Sequence, residues 1–286
     1  MPDHPLILLV DPAHFEVSYI INPWMDPGAW AADPARHLAE ARASFDALRE
    51  ALVESGAMVR IFPGCAGLPD MVFPANAAVV LDRRAIVARF ARPQRQGEEK
   101  PFLDMLNRIA AEGGLTEVAQ FPENCFQEGA GDAIWDATRG LFWAGHGQRS
   151  CFAATTELAA FFGKPVVPLE LATDRFYHLD TCFCPLSGGE ILFYPPAFTA
   201  RALAELHARV APDQRLEASE QDAAAFCVNA VNIGRSVVMA RAPDHLRGML
   251  AERGYQIRGV DLDPFILSGG GAYCMTLRLD RSSGGA

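Results

Sequence analysis

Three glycines in succession, Gly269 to Gly271, lead into Cys274 within SGGGAYCMTLRL. Glycine lets a backbone bend tightly and approach a ligand closely, so a thiol just past such a turn is expected to be accessible. An accessible thiol is a candidate nucleophile, whereas most free cysteines are inert core residues. Thiol chemistry needs a proton carrier. His178 is the best placed of the seven histidines, because RFYHLDTCF sets it two residues before Asp180 on an expected strand. Period two sends both side chains to one face, where the carboxylate would orient the imidazole or share a substrate with it. A half-buried structural His–Asp pair is the other reading, and His146, flanked by glycines in AGHGQRS, is the competing histidine. Glu128 and Asp132 in FQEGAGDAIWD bracket Gly129, Ala130 and Gly131. Two carboxylates brought together with so little bulk between them repel unless a cation intervenes, so the segment anticipates a metal, a guanidinium or an ammonium group. A solvated glycine-rich loop is the alternative.

A metal would want more His and carboxylate ligands than HLD supplies. Cys182 and Cys184 share a strand face at period two but have no second pair. The seven cysteines are odd in number, lack CxxC and fall mostly inside apolar runs, so neither a disulfide framework nor a zinc site is expected. No metal and no cofactor is assigned.

These residues need elements to hold them. Leu38, Ala41, Phe45, Leu48 and Leu52 line one helical face before Gly56 ends the helix. Shorter helices are expected at about 99–112, 155–162, 199–209 and 244–253. Strands are expected at Leu6–Val10, Val59–Phe62, Val79–Leu81, Ile86–Phe90, Ile191–Tyr194, Val237–Ala240 and Met275–Leu279. This alternation is α/β. A further pattern recurs, in which a small polar or reactive residue heads an apolar strand: Asn76, Asp132, Asp180, Asn229 and Cys274, separated by 56, 48, 49 and 45 residues. Five units of about fifty residues suggest a repeat closed in a ring, with the strand heads meeting near its axis. No linker or charge run divides the chain, so residues 1–286 are expected to form one domain with a frayed tail at 281–286.

The 286 residues are 50% apolar and 21% charged, which excludes a disordered tail or a coiled coil. The net charge of −10 argues against nucleic-acid binding, which requires clustered cations, and suits a cationic small substrate. No apolar run is long enough to cross a bilayer, and MPDHPLILLVDP lacks a signal peptide's basic flank, so a cytoplasmic location is expected. The arginine-rich stretch 83–100 is read either as a substrate-covering flap or as a basic surface.

Assembled, the motifs resemble those of the guanidine-modifying, or amidinotransferase (pentein), superfamily: NPWM at 22–25, LPDMVFPANAA at 68–78, RQGEE at 95–99, ENCFQEGAGDA at 123–133, GHGQRS ending at Ser150, YHLD at 177–180, CVNAVNIG at 227–234 and GGGAYCM at 269–275. The resemblance implies a five-bladed α/β propeller of ββαβ units with a Cys–His–carboxylate site at its centre. It implies Cys274 as nucleophile on a guanidinium carbon, His178 as general acid then base, and Glu128 and Asp180 gripping guanidinium nitrogens. Arg95 and Arg149 are expected to bind the α-carboxylate of an amino-acid substrate, and Asn22, Asn76 and Asp132 to complete the substrate site. Asn76 stands where arginine deiminases and dimethylargininases carry an aspartate, and with NPWM it is similar to the arginine dihydrolase branch, which takes arginine to ornithine, carbon dioxide and two ammonia molecules. Pro74 departs from that branch's threonine. The expected partner is a small guanidino compound, with self-association left open. A dimethylargininase or deiminase stopping at citrulline, an amidinotransferase and a non-catalytic binding protein on the same fold are the competing readings.

Overall fold

The computed structural model describes residues 4–284. Strand β1 (Leu6–Val10) is followed by helix α1 (Pro34–Glu54), which Asp33 caps by accepting the Arg36 N–H and which Pro34 starts. Helix α1 buries Ala41, Phe45, Leu48 and Leu52, the stripe expected from their spacing. The chain then returns as β2 (Met58–Phe62), parallel to β1.

The same construction repeats along the chain. Strands β3 (Ala78–Leu81) and β4 (Arg84–Val87) form an antiparallel hairpin; helix α2 (Glu99–Ala111) then leads to β5 (Glu117–Gln120), parallel to β4. Next come β6 (Ala133–Asp136), β7 (Leu141–His146), α3 (Ala154–Phe162) and β8 (Val166–Glu170), paired in the same order. Strands β9 (Phe183–Pro185) and β10 (Ile191–Phe193), helix α4 (Ala200–Arg209) and β11 (Arg215–Glu217) follow. The last unit is β12 (Val231–Ile233), β13 (Ser236–Ala240), α5 (Asp244–Ala251) and β14 (Gln256–Val260). Finally β15 (Leu277–Arg278) pairs antiparallel with β1 and supplies the strand missing from the first unit. The described residues thus form five three-stranded sheets of one pattern, each with a mostly apolar, largely buried strand in the middle.

Each expected strand exists, β1 with the expected limits and the others with changed ones. Beyond Val87 the chain leaves β4, with Arg89 exchanging both backbone hydrogen bonds with Gln127 and the Phe90 N–H donating to the Glu99 carboxylate, and only Leu277 and Arg278 remain of the expected run at 275–279. The strands that pattern reading missed are mostly outer ones, such as β5 and β14, whose half-exposed residues alternate with polar ones and offer no apolar run. The stretch 83–100 is no flap: it contributes β4 and the start of α2, and Arg84, Arg89 and Arg95 are paired with Glu117, Glu99 and Glu98. The expected frayed tail is held at least as far as Ser283. Asp82 donates its N–H to the Arg281 carbonyl and accepts from the Ser283 N–H and hydroxyl, while residues 285 and 286 lie outside the described residues.

Candidate active site

Four of the strand-heading residues sit just ahead of first strands of successive units, on short turns. Single 3-10 turns at Pro74–Asn76, Gly129–Gly131 and Leu179–Thr181 end at or next to Asn76, Asp132 and Asp180. His178 therefore caps a turn and does not lie on a strand, so the period-two argument joining it to Asp180 fails. The turns send the two side chains to different partners. His178 Nε2 lies 2.6 Å from Glu128 Oε2, and Asp180 Oδ2 accepts from Cys274 Sγ at 3.2 Å.

Cys274 is 2% exposed, which corrects the expectation of an open thiol. Its glycines serve protein packing more than ligand approach. A Cβ on Gly270 would lie 2.1 Å from the Phe73 ring, and one on Gly271 would lie 2.8 Å from Asn229 Oδ1. The thiol instead borders a narrow cavity lined also by Asn22, Asn76, Arg95, Arg149 and Tyr177. A wider groove of about 950 Å³, formed partly by Gln94, Gln148 and Asp174, shares Asn22, Arg149 and Tyr177 with this cavity. Burial, then the Asp180 carboxylate, pushes the Cys274 thiol well above its ordinary pKa. Burial likewise lifts Asp180 to about 7, and its Oδ1 is buried with no hydrogen-bond partner among the described residues.

Glu128 is fully buried behind Asn76 and Arg149 and, like His178 and Asp180, does not itself border that cavity. Its Oε2 meets both His178 and Arg149 Nη1, at 3.2 Å for the latter, and its Oε1 accepts the Ala91 N–H. The cation expected beside the acidic loop is thus the protein's own Arg149. Burial alone would raise the Glu128 carboxyl, but Arg149 and then His178 bring it down to about 2. Asn76 accepts from Arg95 Nη1 at 2.8 Å, which turns its Nδ2 toward the Glu128 carbonyl at 3.1 Å and His178 Nδ1 at 3.5 Å. In the neutral imidazole that orientation places the proton on Nε2, as donor to Glu128, and leaves Nδ1 free to accept one. A Cβ on Gly131 would stand 2.4 Å from Asn76 Nδ2, so the small residues between Glu128 and Asp132 make room for Asn76.

Two expected substrate ligands are already engaged. Arg95 forms a fork with Glu98 at 2.9 and 2.8 Å and also donates to Asn76 and the Asp70 carbonyl. Asp132 accepts from Ser150 Oγ at 2.6 Å and the Leu179 N–H at 2.9 Å, joining two turns without bordering the cavity. Asn22 Nδ2 donates to the Ser268 carbonyl, and its Oδ1 accepts the Trp24 N–H. His146 ends β7 with its ring edge on Phe152, outside this network.

Pattern reading missed Asp70, Glu98 and Tyr177. Asp70 accepts from Tyr19 Oη at 2.9 Å and Ser268 Oγ at 3.2 Å on the cavity wall. Glu98 buries the counter-charge of Arg95, and their spacing of three on a helical turn was the available signal. Among the described residues no cluster of three or more His, Cys, Asp or Glu has the disposition of a metal site.

The chain is 39% identical to the bifunctional arginine dihydrolase/ornithine cyclodeaminase ArgZ of Synechocystis sp. over 98% of its length, and it spans 38% of the length of that relative. It is 37% identical to the N(G),N(G)-dimethylarginine dimethylaminohydrolase of Mycobacterium tuberculosis over 95% of this chain and 84% of that protein. A crystal structure of an ArgZ N-terminal-domain variant, covalently bonded to a reaction intermediate, superposes with a TM-score of 0.91 at 38% identity, covering 98% of this chain and 99% of that one. A sequence model of the family described as N,N dimethylarginine dimethylhydrolase, eukaryotic, matches residues 27–281, and the chain belongs to that family.

Proposed function

We propose that this protein is a cysteine-dependent hydrolase of C–N bonds in a guanidino group, acting on arginine as an arginine dihydrolase. The observation that carries the reading is the unpartnered Asp180 Oδ1, buried beside the oxygen that accepts from Cys274 Sγ. A buried carboxylate oxygen without a donor is costly, and a guanidinium N–H supplies one. Bound there, the cation offsets the charge that holds the Cys274 thiol up, so substrate and thiolate favour each other. The identity to ArgZ over nearly the whole chain supports arginine as the substrate.

In this reading substrate binding moves the Cys274 proton to His178 Nδ1, the thiolate bonds to the guanidinium carbon, and the C–N bond breaks as ammonia leaves with that proton delivered back from His178. Water, deprotonated by His178, then adds to the carbon and the C–S bond breaks, returning the electron pair to sulfur. The resulting ureido species stays bound for a second round, in which the thiolate adds to the ureido carbon, the remaining terminal C–N bond breaks as the second ammonia leaves, water splits the C–S bond, and the carbamate so formed loses carbon dioxide to give ornithine. Asn76 suits that retention, because a neutral amide accommodates a neutral ureido group as well as a cation. Glu128 holds His178, Arg95 holds Asn76, and Asp132 braces the turn carrying Asp180. Arg149, shared by the inner cavity and the outer groove and with donors beyond those used by Glu128 and the Ile21 carbonyl, is the better of the two arginines for an α-carboxylate, with Asn22 beside it. The five like units, with β15 completing the first, support a single domain closed as a five-bladed propeller.

The test is incubation with L-arginine, counting ammonia against ornithine and citrulline, with Cys274→Ser as the blank. Two ammonia per ornithine without free citrulline supports the dihydrolase. The family match favours one alternative, a dimethylargininase, which would release methylated amine and citrulline from methylated arginine and leave arginine intact.

A further inference from the structure

We infer that Asn229 is a positioning residue for the sulfur, holding Cys274 as a thiolate both before it attacks and when it departs. The inference rests on Cys274 being the nucleophile of the reading above, and not on which guanidine is the substrate.

Asn229 is fully buried. Its amide Nδ2 donates to Cys274 Sγ at 3.1 Å and to the Asp180 carbonyl at 3.0 Å, and its Oδ1 accepts the N–H groups of Tyr273 at 2.9 Å and Cys274 at 3.2 Å. The orientation is over-determined. Turned over, the NH₂ would face two N–H donors and the oxygen would face a carbonyl. One side chain therefore ties together the backbone of the nucleophile, its sulfur and the backbone of the carboxylate beside it.

Two local features keep the amide in place. Gly271 leaves room for Oδ1, since a Cβ there would lie 2.8 Å away. Phe226, three residues earlier, takes a left-handed backbone with φ of 59°, a conformation unfavourable for a bulky side chain, and its carbonyl receives the Asn229 N–H at 3.3 Å. Backbone strain of this kind persists where surrounding packing enforces it, and here Phe226 is fully buried with its ring edge-on to Trp24 at 4.8 Å.

Chemically, sulfur has two neighbours with opposite preferences. Asp180 accepts from the S–H and favours the neutral thiol; the Asn229 N–H is a neutral donor that favours the thiolate. When the C–S bond forms, sulfur gives up its negative charge and the donation weakens. When water has added and that bond breaks, the electron pair returns to sulfur, and the same N–H again faces a thiolate. His178 makes no hydrogen bond to Cys274 among the described residues, so this task falls to Asn229.

The test compares wild type with Asn229→Asp, which keeps the acceptor for both N–H groups and removes the amide donor, and with Asn229→Ser, which withdraws the donor without adding a charge, so that a midpoint raised in Asn229→Ser as well reports the lost N–H and not the new carboxylate. Cys274 alkylation by iodoacetamide is followed from pH 7 to 10 by peptide mass spectrometry without substrate, using Cys274→Ser as the blank, and the shift in midpoint is read as the displacement of the rate profile along the pH axis. The expected result is an alkylation midpoint at least about one pH unit higher in the variant, equivalent to about tenfold less thiolate at a given pH. On a substrate that wild type turns over, kcat falls about tenfold or more while KM stays within about threefold. A folded variant with an unmoved midpoint would overturn the inference, since a purely structural Asn229 alters stability alone. A raised midpoint in a protein that ignores arginine would leave Asn229 its role and refute the proposed substrate.

Discussion

Replacing Asp180 by asparagine should make the ligand-free protein inactive and, at high pH, more stable. Burial raises this carboxyl from the ordinary aspartate range to about 7. A group raised in the folded state contributes stability that is fully present below its unfolded pKa, near 4, and is lost as pH climbs through about 7. Across that window the buried anion is penalised by about 4 kcal/mol, from roughly three pKa units at 1.36 kcal/mol each. Asparagine removes the charge and keeps an oxygen to accept from Cys274 Sγ, so about half of that penalty should be recovered once other losses in the site are deducted. We therefore expect Asp180→Asn to match or fall below wild type at pH 5. At pH 8 it should exceed wild type by about 2 kcal/mol, or roughly 4 °C in melting temperature for a chain of this size. Scanning calorimetry at the two pH values, with arginine turnover measured alongside, reads both effects. The same difference from wild type at pH 5 and pH 8 would refute the assignment of a raised, charge-penalised carboxyl, and retained turnover would remove Asp180 from the guanidinium site.

Glu128→Gln should act in the opposite sense: it leaves Arg149 buried without its carboxylate, and urea unfolding at pH 7 should show a loss of about 3–5 kcal/mol together with lost activity. In wild type the Glu128 carboxyl lies near 2, so its contribution is present above the unfolded glutamate range and disappears as pH falls toward 2, which acid unfolding of the two proteins should show. Asn76→Asp should shift products from ornithine toward citrulline in the ammonia-counting assay, and an unchanged ratio would remove Asn76 from control of the second round. Gly131→Ala puts a methyl 2.4 Å from Asn76 Nδ2, so kcat should fall about tenfold or more with a stability loss of only about 1–3 kcal/mol.

Much of this site is local chemistry that a sequence exposes. The spacing of Leu38, Ala41, Phe45, Leu48 and Leu52 required a helix with one buried face, and Gly56 ended it by a rule that depends on neighbours alone, while its start at Asp33 and Pro34 came from the structure. Asn76, Asp132, Asp180, Asn229 and Cys274 stood out because a polar residue ahead of an apolar strand is conspicuous in one dimension, and the repeat of about fifty residues followed from subtraction. Partnership did not follow. His178 and Asp180 are two residues apart, yet one faces Glu128, fifty residues earlier, and the other Cys274, ninety-four residues later. A 3-10 turn redirects side chains that a strand would have aligned. The amino-acid sequence by itself determined which residues could do thiol and guanidinium chemistry, and that five like units carry them. Only the tertiary structure decided that Arg95 and Arg149 answer to Glu98 and Glu128, that Cys274 is enclosed, and that Asn229 holds its sulfur. Those outcomes depend on burial and on contacts between distant turns, which set both the cost of a charge and the choice of its partner.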